Sequence, residues 1–445
     1  MDITGGTITP GESLRDRGLV RGVGLAAFTA TIVNGVVGAG VFTLPAVMAL
    51  NMGPRAPLAF LVCAVAMGAV VLCAADAGRR VPTSGGIYGT VTAGLGPRAG
   101  FVAGFVGIWV SSVLSCGGIA AAFADGVGSA VPALAAGIPR ALLILAVIGG
   151  LMLVNLRGVG FAARFLTVAT LVKLVPLALF VGIGAWFVTA TNLHAGAASG
   201  GGDGFGRAVI FALFAFSGME TPLAASGEAA DPRRTVPRAI ILSMVFVLAL
   251  YVAVQVVAQG LLGSGLAGTK DAPLAAAIAT VSPVLGIVLA AGATLSRLIW
   301  IGSDILGAPR VLFAFARDRL LPAVLGRVDP RFHVPRVAIV IHSVLVAILA
   351  ISGTFEALAI LSGLASTLLY SLSCAAAWRL DARRAGGDHA GAWRRGIVPA
   401  AALVGIVAMI AIAVQAKPEE LAGMGASVAI ALAIYAGRRV FAAAA

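Results

Sequence analysis

Twelve charge-poor apolar runs follow one another along this chain, at roughly 22 to 50, 57 to 77, 99 to 124, 141 to 156, 162 to 188, 207 to 227, 238 to 262, 283 to 308, 337 to 353, 356 to 378, 397 to 416 and 421 to 437. A bilayer crossing takes about 20 apolar residues, so each run reads as a membrane-spanning helix. The fourth, pinned between Arg140 and Arg157, reads as short. Together they use most of the 445 residues and leave little for an extramembrane domain. Composition agrees, since only 11% of residues are charged against about 25% in an ordinary soluble domain. A soluble enzyme is excluded. The first 21 residues are polar and carry Arg15, Arg17 and Arg21, but the apolar run behind them is too long for a signal-peptide core, so the first span is expected to be retained.

The distribution of basic residues explains the net charge of +13. Of the 31 Lys and Arg, 24 fall on the amino terminus and every second loop, and five, Arg55, Arg140, Arg207, Lys270 and Lys417, fall on the opposite side. The positive-inside rule then puts both termini in the cytoplasm and calls for an even number of spans. A nucleic-acid surface would gather these charges on one folded patch, whereas they are spread over seven short segments, so no nucleic-acid partner is expected. The two remaining cations, Lys173 and Arg297, lie inside spans. Charge there is costly and marks a function or a dedicated partner.

Enzymatic and metal chemistry find no candidate. Cys63, Cys73, Cys116 and Cys374 lie in apolar stretches with no paired spacing and are expected to pack as small hydrophobes. His194, His333, His342 and His389 share no helical face or ligand spacing, so no metal site is expected. GSGLAGTK (Gly263 to Lys270) lacks the ending of a phosphate loop, and neither HExxH nor G-x-S-x-G occurs.

Two spans are interrupted at matched places. Gly35, Gly38 and Gly40 break the first in NGVVGAGVF, and Ser217 and Gly218 break the sixth in FAFSGME, about 180 residues later. Glycine-interrupted spans in corresponding positions point to an inverted repeat with a binding site at the midplane. The plainer alternative is close helix packing through small residues. The repeat reading divides the chain into a cytoplasmic tail (1–21), a first repeat of five spans (22–190), a second of five (207–378), and two further spans with a cytoplasmic carboxyl end (379–445).

Four segments carry a family resemblance. TIVNGVVGAGVFTLPAVMA (Thr31 to Ala49) resembles the first span of the amino acid, polyamine and organocation (APC) transporter superfamily, which shows G[SA]GIF followed by a proline. VPTSGGIYGTVTAGLGPRAGFVAG (Val81 to Gly104) is similar to that family's first intracellular loop, FALFAFSGMETPLAASGEAADPRRTVPRAI (Phe211 to Ile240) to its broken sixth span, and APRVLFAFARDRLLP (Ala308 to Pro322) to the end of span eight. Their order covers the first three quarters of the chain. The resemblance implies an all-α integral membrane protein of 12 transmembrane helices, with a LeuT-like 5+5 inverted repeat plus two additional helices.

Helix-end physics suggests what the breaks would do. A helix restarting near Gly40 leaves orphan N–H groups and a positive dipole end, so Gly38, Ala39 and Gly40 would receive a carboxylate. The helix end near Val33 to Val36, and the one at Phe214, Ala215 and Phe216, would leave carbonyls free for an ammonium. A zwitterionic amino acid fits both. Phe214 matches an aromatic gate position in relatives and would cover the substrate from outside. Ser111 and Ser115 share a helix face and would line the pocket, or bond their own helix.

The intramembrane charges complete the expected site. Lys173 lies nine residues beyond Arg164, about 13 Å deep. In several relatives a lysine here stands where sodium-coupled cousins hold a cation, which implies an ammonium bridging spans one, five and eight and a coupling role as proton carrier. The alternative is a purely structural cation. Glu220, thirteen residues from both Arg207 and Arg233, would take part in gating and proton sensing, or cap the second half of span six. Asp304 would lie below the substrate and Arg297 beside it, seven residues apart and too far along the axis to pair, unless other charges in the bundle satisfy both. Trp300 reads as a packing residue. Because Lys173 and Arg297 offset the two acids, a neutral substrate is expected. The whole implies a secondary active transporter of small neutral amino acids in the bacterial inner membrane, working by alternating access with protons and without a cofactor. The alternatives are an exchanger and a carrier of cationic amino acids or polyamines, and the rival classes are a membrane enzyme and a channel or receptor.

Overall fold

The computed structural model of the chain describes residues 24–38, 40–81, 86–157, 173–195, 203–223, 229–269, 272–383 and 392–443, and these residues contain no β-strand. Helices α1 (Leu25–Val36) and α2 (Gly40–Met52) share one apolar run. A 3₁₀ elbow at Gly53–Arg55 leads into α3 (Ala56–Arg80), followed by α4 (Gly86–Leu95), α5 (Pro97–Ala130), α6 (Gly137–Leu156) and α7 (Lys173–Phe187). Next come α8 (Gly204–Phe216), the single turn Glu220–Leu223, α9 (Pro232–Leu262) and α10 (Pro273–Ala279). The chain ends with α11 (Pro283–Gly307), α12 (Pro309–Arg317), α13 (Arg336–Ser352), α14 (Phe355–Arg383), α15 (Ala392–Ala413) and α16 (Pro418–Ala443). Proline opens α5, α9, α10, α11 and α12, where its fixed φ suits a first turn and its missing N–H would be unpaired anyway.

Among the described residues, eight helices are long and apolar enough to cross a membrane, with α2 and α3 counted as one continuous stretch, and four shorter apolar helices, α1, α7, α8 and α13, accompany them. The fourth apolar run is longer than Arg140 suggested, because α6 starts at Gly137 and has 20 residues. Arg140 bonds Asp125 at 2.9 Å and so does not end the helix. Much of the fifth run lies outside the described residues.

Burial follows a membrane logic. One apolar cluster gathers α1, α2, α3, α8 and α9 around Phe42, Phe60, Phe211 and Phe216. A second gathers α5, α6, α11, α12 and α13 around Phe101, Phe105 and Phe315. The α14 helix packs against α3, α5 and α15 and borders both. Outward faces carry aliphatic side chains such as Val65 (71% exposed), Ile138 (76%) and Ile287 (71%). In water such surface would be an association liability, but hydrocarbon is its natural solvent. All four cysteines are free and buried. At one end, Arg80 pairs with Asp76 of its own helix and with Asp381 of α14, which ties α3 to α14.

Candidate functional site

The two interrupted runs meet. The first helix stops at Val36 and restarts at Gly40, and the second stops at Phe216 before the turn at Glu220. A Cβ added to Gly35 would lie 2.8 Å from the Gly218 carbonyl oxygen and 2.9 Å from Pro222 Cγ, and one added to Gly218 would lie 2.6 Å from the Gly35 oxygen. Gly218 also has φ +113°, which side chains disfavour. The contact therefore requires glycine on both sides.

Beside this contact is a cavity of about 50 Å³, where one water takes about 10–15 Å³ on the same measure. Val36, Gly38 and Gly40 line it from the first break and Phe214, Ala215 and Glu220 from the second, with Ser111 and Ser115 of α5 and Asp304 of α11. Ala39 lies outside the described residues. Phe216 does not line this cavity. Its ring packs instead on Phe60 at 6.3 Å and on Tyr251 at 5.6 Å, because the last turn of α8 rotates it towards α3 and α9. Ser112, Ser217, Tyr251 and Trp300 line the wall as well, in roles the sequence did not assign. Above the cavity, the rings of Phe214 and Phe355 meet edge to face with centroids 5.8 Å apart. Phe355 also lines a second cavity of about 260 Å³ with Asp125 and Glu356, so the aromatic pair stands between the two spaces.

The carbonyls expected to be free at the end of α1 are taken. Val33 accepts from the Val37 amide at 2.7 Å. Asn34 accepts from Lys173 Nζ at 2.5 Å, and Gly35 from Trp300 Nε1 at 3.3 Å. Val36 accepts from the Gly38 amide at 2.7 Å and from the Tyr251 hydroxyl at 3.0 Å. The same hydroxyl lies 3.1 Å from the Ala215 carbonyl, so one group on α9 reaches both breaks. Helix ends leave four carbonyls without intrahelical partners, and here other helices supply three of the donors. By contrast, the first N–H groups of α2 have no intrahelical partner, and Gly40 faces the cavity.

Lys173 is buried, 1% exposed, and its bond to Asn34 ties α7 to α1. Among the described residues no group of α11 bonds it, so the bridge to span eight is absent, and Lys173 does not line the cavity. Glu220 accepts from the Gly218 amide at 3.2 and 3.1 Å on its two oxygens and from the Tyr370 hydroxyl at 3.1 Å. Ser111 and Ser115 share Ser362 of α14, at 2.9 and 2.6 Å, so α5 and α14 are joined through hydroxyls. Ser362, Tyr370 and Tyr251 carry no sequence signal that would have placed them here.

Arg297 and Asp304 go separate ways. Arg297 is 2% exposed and donates from Nη2 to Thr43 Oγ1 at 2.9 Å, so it faces α2 and does not line the cavity. Asp304 accepts from Ser112 on one oxygen, and His342 Nε2 lies 2.9 Å from the other. Cys116, Asp304 and His342, from three helices, bring their ligand atoms within 4.8 Å of one another, although the sequence offered no metal spacing. The set does not fit a metal well. His342 is fully buried, and its Nδ1 has no partner among the described residues. Metal on Nε2 would put the proton on Nδ1, where a bound histidine normally has an acceptor. The contact holds the His342 ring against the Asp304 carboxylate through Nε2.

The sequence matches the amino acid permease family model over residues 23–437. It is 27% identical to the serine/threonine exchanger SteT of Bacillus subtilis over 84% of this chain and 86% of that protein. The branched-chain amino acid permease BcaP of the same organism is 26% identical over 73% of each chain. An uncharacterised transporter of Mycobacterium tuberculosis is 31% identical over 95% of this chain and 92% of its own length. A family match across nearly the whole chain, with apolar helices throughout, makes this protein a member of the amino acid permease family within the APC superfamily, a membrane transporter and not an enzyme.

Proposed function

We propose that the protein moves small amino acids, neutral ones first, across the plasma membrane by alternating access, with protons as the driving ion. The observation that carries this reading is the contact of two helix breaks at one small cavity, where an N-terminal helix end faces the space. Such an end receives a carboxylate without any side chain, and a cavity with room for only a few waters suits a small substrate. In this reading the eight long and four short apolar helices make up twelve crossings. Residues 22–190 and 207–378 form the two inverted five-helix repeats, residues 379–445 add two helices, and the arginine-rich faces and both termini lie in the cytoplasm. Lys173 is the coupling residue, Phe214 the outer gate, and the amides of Ala39 and Gly40 the carboxylate site, since the Gly38 amide is held by the Val36 carbonyl.

Exchange is the second reading, and the name of one relative, a serine/threonine exchanger, favours it. A cationic substrate is the third. It is favoured by the two acids in the cavity wall, Glu220 and Asp304, which no basic residue accompanies there. Purified protein in liposomes separates the three. Accumulation of labelled alanine or serine into empty vesicles under an inward proton gradient supports symport, and uptake only into preloaded vesicles supports exchange. Competition by lysine but not by leucine supports the cationic reading. Current without saturation would overturn the transporter mechanism.

A further inference from the structure

We infer that the arginine-rich segment from Pro309 to Arg336, which joins α11 to α13, is a docking surface for anionic phospholipids, with its arginines receiving the headgroup phosphates. This rests on the membrane transporter reading and adds a partner outside the cavity. The charge of the segment is one-sided. It carries six arginines, Arg310, Arg317, Arg319, Arg327, Arg331 and Arg336, all exposed, against two acids, Asp318 and Asp329. Both acids are engaged within the fold. Asp318 accepts from the Tyr88 hydroxyl at 3.3 Å and lies 3.4 Å from Arg317, while Asp329 holds the Arg331 and Phe332 amides at 2.9 and 3.0 Å and lies 3.5 Å from Arg336. Arg319, Arg327 and Arg331 have no acidic partner among the described residues. Apolar side chains are interleaved with them. Val324 is 41% exposed and Val328 44%, whereas Leu320, Leu321 and Val334 are buried in the second apolar cluster and hold the segment to the bundle.

Helix lengths put this surface at the edge of the bilayer. Helix α13 has 17 residues, about 26 Å at 1.5 Å per residue, which is less than the roughly 30 Å of a hydrocarbon core. Its first residue, Arg336, therefore stays at headgroup level, and so does the chain leading into it. On the other side, α11 and α12 run as one stretch of 35 residues from Pro283 to Arg317, about 52 Å, so α12 emerges through the headgroups. Valines left uncovered between arginines at this depth match a lipid surface in two ways. The apolar side chains enter the acyl boundary, and guanidinium forks take phosphate oxygens in pairs. A soluble anion would use the charges alone. The backbone adds a further sign. The two non-glycine residues with left-handed φ among the described residues, Arg319 at 59° and His333 at 54°, both fall here. That conformation is usually left to glycine, and at both places the chain instead keeps a side chain able to carry positive charge. Because α12 continues α11, whose Trp300 and Asp304 line the cavity, a segment held by lipid fixes one end of a cavity helix.

The test uses the full chain purified in dodecyl maltoside, with phosphatidylglycerol or phosphatidylcholine titrated into the micelles and the melting temperature read at each ratio. A lipid that binds the folded state raises it. Phosphatidylglycerol should stabilise the wild type and phosphatidylcholine should not, and the difference should fade as salt screens the charges. One arginine near an anionic surface is worth about fivefold in affinity. The combined variant Arg319→Gln, Arg327→Gln and Arg331→Gln should therefore need about a hundredfold more phosphatidylglycerol for the same shift. Lysine at the same three positions should keep most of the effect, which separates lost binding from a damaged fold. Val324→Ser with Val328→Ser should weaken the response and leave its salt dependence. The control is Arg234→Gln with Arg238→Gln, exposed arginines near the start of α9, which should stay within about twofold of wild type. Equal loss in the control and the triple variant would mean that any basic loop suffices, and equal stabilisation by inorganic phosphate would mean a soluble-anion site. Either result overturns the inference, as does a triple variant within about threefold of wild type. The readout needs no transport, so a wild type that takes up no amino acid would sink the transporter reading separately.

Discussion

Substituting Gly35 by alanine tests the helix contact on which the cavity depends. The added methyl would sit 2.8 Å from the Gly218 oxygen and 2.9 Å from Pro222 Cγ, so to reach ordinary contact near 3.4 Å the two breaks must part by about 0.6 Å. Overpacking of this kind costs about 1–3 kcal/mol. Gly218→Ala meets the same surface from the other side at 2.6 Å and adds backbone strain of about 1–2 kcal/mol, because a left-handed φ is unfavourable for any residue with a Cβ. Once one methyl has separated the breaks, the second meets less resistance, so the double variant should cost less than the sum of the singles by about 1 kcal/mol or more. The assay is denaturant or thermal unfolding in detergent for the four members of the cycle, with alanine affinity measured alongside. A misplacement of this size at a binding site weakens affinity, so Gly35→Ala should raise the apparent Kd about tenfold or more. Strict additivity, or wild-type affinity in Gly35→Ala, would refute the claim that the contact of the breaks shapes the site.

Two further outcomes are expected. Lys173→Ala should abolish accumulation driven by an inward proton gradient while alanine binding stays within about tenfold, about 1.4 kcal/mol, and Lys173→Arg, always charged, should bind and stay locked; unaltered accumulation in the alanine variant would leave Lys173 a structural tie to Asn34. Outside the membrane, the amides of Phe332 and Arg331 together with Arg336 hold the Asp329 carboxyl below its usual value. A lowered folded-state value gives stabilisation that is present above the ordinary carboxylate range and is lost as pH falls. Asp329→Asn should therefore lower the melting temperature at pH 7, by a deficit that shrinks as pH falls through and below the carboxylate range, and a deficit that does not change with pH would contradict this origin.

The apolar runs were legible because their signal is local, with about twenty residues of one character in each. The breaks were legible for a similar reason, since Gly35, Gly38 and Gly218 interrupt a pattern that otherwise continues. What the sequence could not reveal are the partnerships between distant spans. Ser112 and His342 reach one carboxylate from positions 230 residues apart, and Tyr251 reaches two breaks from a third helix. A single polar residue in an apolar helix has no neighbour in sequence to indicate its partner. Arg297 shows the converse. Its place on the same stripe as Asp304 suggested a shared site, but its side chain follows α2 outward to Thr43. Charge compensation read from spacing alone therefore led to an offset that the cavity wall does not contain.

The end of α1 is held by side chains from three other helices, Lys173 of α7, Tyr251 of α9 and Trp300 of α11. These are polar ties at a helix terminus, but Phe28, Ile32, Val33 and Val36 of α1 also sit in the first apolar cluster, so swinging α1 away breaks hydrogen bonds and uncovers apolar surface as well. At about 1 kcal/mol net for each tie, the three ties alone add about 3 kcal/mol to release, enough to hold the released form under about 1% of the population. Heat capacity follows apolar exposure, so an opening that wets these side chains carries a positive heat-capacity change, and its equilibrium constant follows a curved van't Hoff line. In a protein that is mostly hydrocarbon-facing helix, the movable joint is then a polar latch set at the end of an apolar seam.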